Sequence, residues 1–140
     1  MASKMASCLF CKIIKGEIPS FKLYESDKIF AFLDINPLTK GHTLVIPKFH
    51  GVKLHDIPDD SLTEILPVAK KLAQAIGAKD YNVLQNNGAI AHQVVEHVHF
   101  HMIPKPNETE GLCLGTGAWP AQATDMEKLK ATFDEMKAKM

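Results

Sequence analysis

His97-Val98-His99-Phe100-His101-Met102-Ile103 alternates imidazole and apolar side chains without a break. A β-strand has a side-chain period of two, so the segment predicts a strand over His97–Ile103 with two unlike faces. His97, His99 and His101 share one face, while Val98, Phe100 and Met102 share the other. The apolar face can pack on a helix. The imidazoles stand roughly 6.6–7 Å apart, twice the strand rise, and core packing does not require three of them in a row.

Such a row has two chemical uses. Same-face imidazoles can hold a metal ion. Alternatively, one imidazole attacks a phosphorus centre while its neighbours move protons and stabilise charge, since histidine titrates near neutrality. The residues alone leave both open.

The flanking sequence predicts an α+β chain with a mainly antiparallel sheet. Cys8 to Lys15 reads as a short helix ended by Gly16. Phe21–Glu25 and Lys28–Leu33 read as a hairpin, and His42–Ile46 as a buried strand ended by Pro47. The longest helix is expected from Pro58 to Ile76, with Pro67 starting or kinking a segment inside it and Gly77 at its exit. Tyr81–Gln85 is a further strand, and Asn86-Asn87-Gly88 a turn. A last helix starts at Thr124, where Thr124 and Glu127 fit a capping box; Met126, Leu129, Phe133 and Met136 line one side.

Composition narrows the chemistry. The 140 residues suit one domain, 1–140, with a core over about 8–104 and a tail and helix over 105–140. Sixteen basic residues balance sixteen acidic ones, which argues against nucleic acid and anionic membranes as partners. No apolar run approaches the ~20 residues of a membrane span. No secretory signal is read at the N-terminus, and three cysteines do not suggest a disulfide framework. The expected compartment is therefore the cytoplasm, with the nucleus an alternative. Every basic residue is a lysine. Phosphate would have to be held without a guanidinium fork, by imidazolium, ammonium, amide or backbone N–H groups.

The alternating segment resembles the signature of the histidine-triad (HIT) family, and the chain is similar to its Hint branch, the nucleoside phosphoramidases. The similarity runs from about Cys8 to Pro104, through Cys8–Ile14, Phe30–Ile35 and Gly41–Lys48. The resemblance implies a HIT-like fold, a five-stranded antiparallel sheet with a long helix and short terminal helices. It also implies a homodimer that joins the two sheets, through the long helix and the strand near Tyr81.

The resemblance assigns His99 as the nucleophile toward the α-phosphorus of a purine nucleotide. A nucleotidyl-histidine forms and water then releases the nucleoside monophosphate. A backbone carbonyl at the far ring nitrogen would keep the attacking nitrogen unprotonated. His101 and His42 would contact the phosphate and leaving group. Asp34 would accept hydrogen bonds from the ribose hydroxyls, although an Asp at that place also suits a turn. Phe10, Ile13, Phe32 and Ile35 would enclose the base, and Asn86 and Gln93 would supply amide contacts near the phosphate. Many relatives have Gly-Gln followed by Ser or Thr, where this chain has His92-Gln93-Val94. A hydroxyl contact is lost, and His92 adds a further imidazole to the nucleotide-binding set.

Cys8 and Cys11 have zinc-ligand spacing, which alone also fits two ordinary thiols. Some relatives with this pair bind zinc, and the resemblance completes the set with His50 and His97. Four ligands make the implied zinc structural; no organic cofactor is expected. Competing readings are a metalloenzyme with His97, His99 and His101 on one catalytic metal, a non-catalytic nucleotide-binding protein, and a dinucleoside polyphosphate hydrolase. Trp119 is a candidate near the substrate pocket, and Cys113 reads as a free thiol.

Overall fold

The computed structural model describes residues 2–115 and 117–140. Two short helices, α1 (Ala2–Ser7) and α2 (Leu9–Ile14), precede the strands β1 (Lys22–Glu25), β2 (Ile29–Leu33) and β3 (Thr43–Pro47). Helix α3 (Ile65–Ile76), strands β4 (Tyr81–Gln85) and β5 (Phe100–Pro104) and helix α4 (Met126–Lys139) complete the chain. The five strands form one antiparallel sheet in the order β1-β2-β3-β5-β4.

The central strands look apolar throughout because both faces of the sheet are covered. Ile29, Ala31, Val45 and Met102 pack under Ile65, Val68, Ala69, Leu72 and Ala73 of α3. Phe30, Phe32, Leu44 and Ile46 point the other way, onto Phe10, Cys11 and Ile13 of α2. Period-two alternation thus divides one apolar run between two cores. Fully burying each of the larger apolar side chains, such as Ile29, Val45, Phe32 and Met102, contributes roughly 1.5–3 kcal/mol.

Three boundaries differ from expectation, each for a local reason. The long helix begins at Ile65 rather than Pro58, and Asp59–Leu62 forms a separate 3-10 turn. Proline lacks an N–H and crowds the carbonyl four residues back, so Pro67 fits only the first helical turn, where no intrahelical donor is needed. Strand β5 begins at Phe100 rather than His97. The register Val45↔Phe100 would bring Pro47 opposite Val98, and Pro47 has no N–H to extend the ladder. The Val98 N–H donates instead to the Gly51 carbonyl at 2.8 Å. Helix α4 is capped by Asp125, whose carboxylate accepts from the Lys128 N–H at 3.1 Å, so Thr124 is not the cap.

Helix α4 also buries nothing. Met126, Leu129, Phe133 and Met136 are 56–72% exposed. No helix among the described residues is long and apolar enough to cross a membrane.

Candidate active site and metal cluster

The α2 face of the sheet carries a cavity of about 590 Å³. Phe10 and Ile13 of α2, Phe32 of β2, and Asp34 and Ile35 beyond it line the cavity with His42, Asn86, His92, Val94, His99 and His101. Most of the expected nucleotide-binding residues therefore meet in one place. Phe10 and Phe32 sit edge to face with ring centroids 5.7 Å apart, and Ile35 is 78% exposed at the rim.

His99 is 6% exposed, and its Nδ1–H donates to the His97 carbonyl at 2.7 Å. That bond fixes the tautomer and leaves Nε2 with its lone pair. Burial pushes the ring's pKa below the usual 6.5, against the carbonyl bond that raises it. The result is an unprotonated nitrogen on a buried ring at the cavity wall.

A second chain of bonds orders His101. The Leu38 backbone N–H donates to His42 Nδ1 at 3.1 Å, so a neutral His42 carries its proton on Nε2. His42 Nε2–H then donates to His101 Nδ1 at 2.9 Å, and His101 keeps its own proton on Nε2. Burial, with the neighbouring His99 and His42, pushes His101 down to about 4. Burial also lowers His42, partly opposed by the Asp34 carboxylate 3.5 Å from its Nε2. Burial thus favours the neutral form of both rings. They offer N–H donors rather than the imidazolium charge expected from the lysine-only composition.

Asp34 makes a turn contact and also reaches the cavity. One carboxylate oxygen accepts from the Asn36 N–H at 2.8 Å, a turn contact, while the side chain lines the cavity. Asn86 lines the cavity and donates from Nδ2 to the His92 carbonyl at 3.4 Å. Gln93 is placed otherwise. Its Oε1 accepts from the Gly88 N–H at 2.7 Å, and its Nε2 donates to the carbonyls of Val52 at 2.6 Å and Val95 at 3.1 Å. At 8% exposure it braces the loop from beneath and does not line the cavity. Trp119 also lies outside the cavity, 67% exposed, its indole N–H bonded to the Leu114 carbonyl. Cys113 is a free, exposed thiol.

The sequence reading missed Leu84, which lines the cavity beside the histidines. Its pairing with His101 explains this. The signal lay in strand register, which hydropathy does not carry.

The Cys8, Cys11, His50 and His97 side chains converge at the other end of the histidine row, their ligand atoms within 4.8 Å of one another. His97 is fully buried, and its Nε2–H donates to the Pro47 carbonyl at 2.8 Å. Nδ1 then faces Cys8 Sγ at 3.5 Å, Cys11 Sγ at 3.6 Å and His50 Nδ1 at 3.2 Å; His50 Nδ1 is 3.3 Å from Cys11 Sγ. A tetrahedral zinc with ordinary bond lengths has edges of ~3.6 Å for S···N and ~3.3 Å for N···N. The donor set fits zinc in type and spacing. Burial, with the adjacent Cys8 thiol, raises Cys11 to about 11; a bound cation would have to draw that proton off. His97, His99 and His101 do not converge on one point, so the single catalytic metal is not built here.

The HIT domain profile matches residues 15–108. The chain belongs to the HIT family. It is 60% identical over 135 residues to adenosine 5'-monophosphoramidase HNT1 of Saccharomyces cerevisiae, covering 96% of this chain and 84% of that one. Against adenosine 5'-monophosphoramidase hnt1 of Schizosaccharomyces pombe it is 55% identical, covering 96% and 98%. The crystal structure of a histidine triad nucleotide-binding protein from Candida albicans superposes with a TM-score of 0.89 at 57% identity, covering 95% of this chain and 96% of that chain. The HIT fold expected for the sheet and helices is thereby shown.

Proposed function

We propose that this HIT protein is a purine nucleoside phosphoramidase that releases AMP through a nucleotidyl-histidine on His99. One observation carries the reading: His99 lines the cavity with its Nδ1–H bonded to the His97 carbonyl, which leaves Nε2 unprotonated. The names of the fungal relatives support an adenosine substrate.

His99 Nε2 gives its lone pair to the α-phosphorus, and the phosphorus–nitrogen bond breaks. The amine leaves from its nitrogen-protonated form, so no neutral ring gives up a proton. His101 Nε2–H, oriented by the 2.9 Å bond from His42 Nε2–H to its Nδ1, donates a hydrogen bond to the reacting phosphate. A water molecule then attacks the phosphorus and gives its proton to solvent, freeing AMP and His99 with its Nε2 lone pair restored. The apolar walls at Phe10, Ile13, Phe32 and Ile35 hold the base, and Asp34 accepts from the ribose. His99→Ala should lower AMP release from adenosine 5'-phosphoramidate by more than about a thousandfold. A substantially active variant would remove His99 from this role.

Two further parts belong to the reading. Cys8, Cys11, His50 and His97 hold a structural zinc, which fastens α2 to the segment bearing the nucleophile. A homodimer covers the exposed edge strand β4. Tyr81 and Val83 there are 41% and 45% exposed on the α3 side of the sheet, and Leu66 of α3 is 59% exposed. An apolar edge of this kind calls for a covering partner, and a second copy would form a two-fold interface. A solution mass of one chain would contradict the dimer. The compartment proposed is the cytoplasm or nucleus.

A further inference from the structure

We propose that His92 selects the leaving group, favouring amines that carry a carboxylate. This inference deepens the phosphoramidase reading and rests on it.

The first observation is conformational. His92 has φ 67° and ψ 20°, the left-handed region that L side chains rarely adopt. It is the one non-glycine residue with positive φ among the described residues; the other seven positive-φ positions are all glycine. The backbone here asks only for a turn. His92 N–H bonds to the Ala89 carbonyl and Gln93 N–H to the Gly88 carbonyl, which glycine would allow without strain. A side chain kept at such a position points to a task.

The second observation is placement. Leu84 pairs with His101, so Asn86, two residues on, leaves β4 level with His99. Asn86 Nδ2 donates to the His92 carbonyl, which ties His92 to the phosphorus end of the cavity rather than to the Phe10–Phe32 end. The ring is exposed, lines the cavity and makes no hydrogen bond or ion pair among the described residues.

The third is charge. Residues 85–95 contain no carboxylate. The Lys53 ammonium lies over the same loop, 4.0 Å from where a Cβ on Gly88 would stand. Glu96 lines a separate hollow with His50 and Val52. Asp34, the acidic residue of the main cavity, is already bonded within its own turn. Lys53 has Asp56 on its own segment, bonded to the Lys53 backbone N–H at 3.0 Å. The loop that carries His92, however, brings no carboxylate to the imidazole or to the ammonium over it, which favours an anionic group beyond the phosphorus–nitrogen bond.

The test uses two AMP phosphoramidates of the same α-amino acid, one with its carboxylate free and one capped as the carboxamide. Wild type, His92→Gly and His92→Gln are compared by kcat/KM. Wild type should prefer the carboxylate by about tenfold, the size expected for a hydrogen bond to a charged group. His92→Gly should bring the ratio close to one with an unchanged or higher Tm, and His92→Gln should restore part of it. An equal loss on both substrates with a lowered Tm would make His92 a structural residue and overturn the inference. A ratio near one in wild type, or one unmoved by His92→Gly, would overturn it as well. Wild type turning over neither compound nor adenosine 5'-phosphoramidate would sink the underlying phosphoramidase reading and this inference with it.

Discussion

His97 and His101 lie on one segment four residues apart, and each leads into a cluster of ligand-type side chains. The two clusters are built for opposite uses. At the His97 end, Nε2 is bonded to the Pro47 carbonyl, and Nδ1 looks into a closed set of two thiols and a second imidazole. At the His101 end, Asp34, His42 and His101 also bring three ligand atoms together. There the Leu38 N–H occupies His42 Nδ1, so the 2.9 Å contact to His101 holds a proton rather than an ion. What the far ring nitrogen bonds to decides whether an imidazole becomes a metal ligand or a hydrogen-bond donor. His99 stands between them, oriented by the backbone carbonyl of His97.

Substitutions at each end should separate these uses. The largest effect is expected for His101→Gln, which removes the Nε2–H that the bond from His42 orients toward the reacting phosphate. Its kcat should fall by about 10²–10³-fold with bound metal unchanged. A loss of metal would mean that the clusters are not independent. Cys11→Ser should do the converse to the protein's composition, abolishing stoichiometric zinc. It should also lower stability by ~3 kcal/mol, or about 10 °C in Tm, since metal binding to a site absent from the unfolded chain is folding free energy. Full metal content in that variant would discard the Cys₂His₂ set.

Acid should act next. His101 is held at about 4 against an ordinary 6.5. Between those values the unfolded chain binds a proton that the folded chain does not, so stability falls as pH drops from 6.5 to about 4. Above 6.5 this group contributes no pH dependence. Denaturation midpoints across that window should therefore slope less steeply in His101→Gln than in wild type. Equal slopes would show that the ring is not held neutral by the fold.

The smallest effect is expected at Pro67. Because Pro67 sits in the first turn of α3, Pro67→Ala should change stability by less than about 0.5 kcal/mol. A large gain would place the proline inside a longer helix that it had been interrupting.

The contrast between the two ends also explains what could be read from sequence. Period two put Val98 and Met102 into the core and the histidines opposite them, whereas β2 and β3 were legible as apolar, β-branched and aromatic runs bounded by turn residues and proline. Cys8 and Cys11 were visible by spacing, and their convergence with His50 and His97 followed the family resemblance. Boundaries were less legible because they depend on a partner elsewhere. Phe100 begins β5 because of Pro47 on β3, and Ile65 begins α3 because of Pro67. Gln93 shows the same limit at the site. Its residue type suits a phosphate contact, but the loop uses both ends of its amide to close on Gly88, Val52 and Val95. Pattern identifies faces; tertiary hydrogen bonding chooses among the polar residues on them. The apolar side of α4 was equally visible in sequence, yet it buries no residue within this chain.

The most direct test is to quench turnover of adenosine 5'-phosphoramidate rapidly and map any covalent adduct by peptide mass. The structure predicts an acid-labile adenylyl group on the peptide containing His99, attached at Nε2 and absent from His99→Ala. An adenylyl group on His101, or rapid AMP release by wild type with no adduct forming at all, would contradict nucleophilic attack by His99.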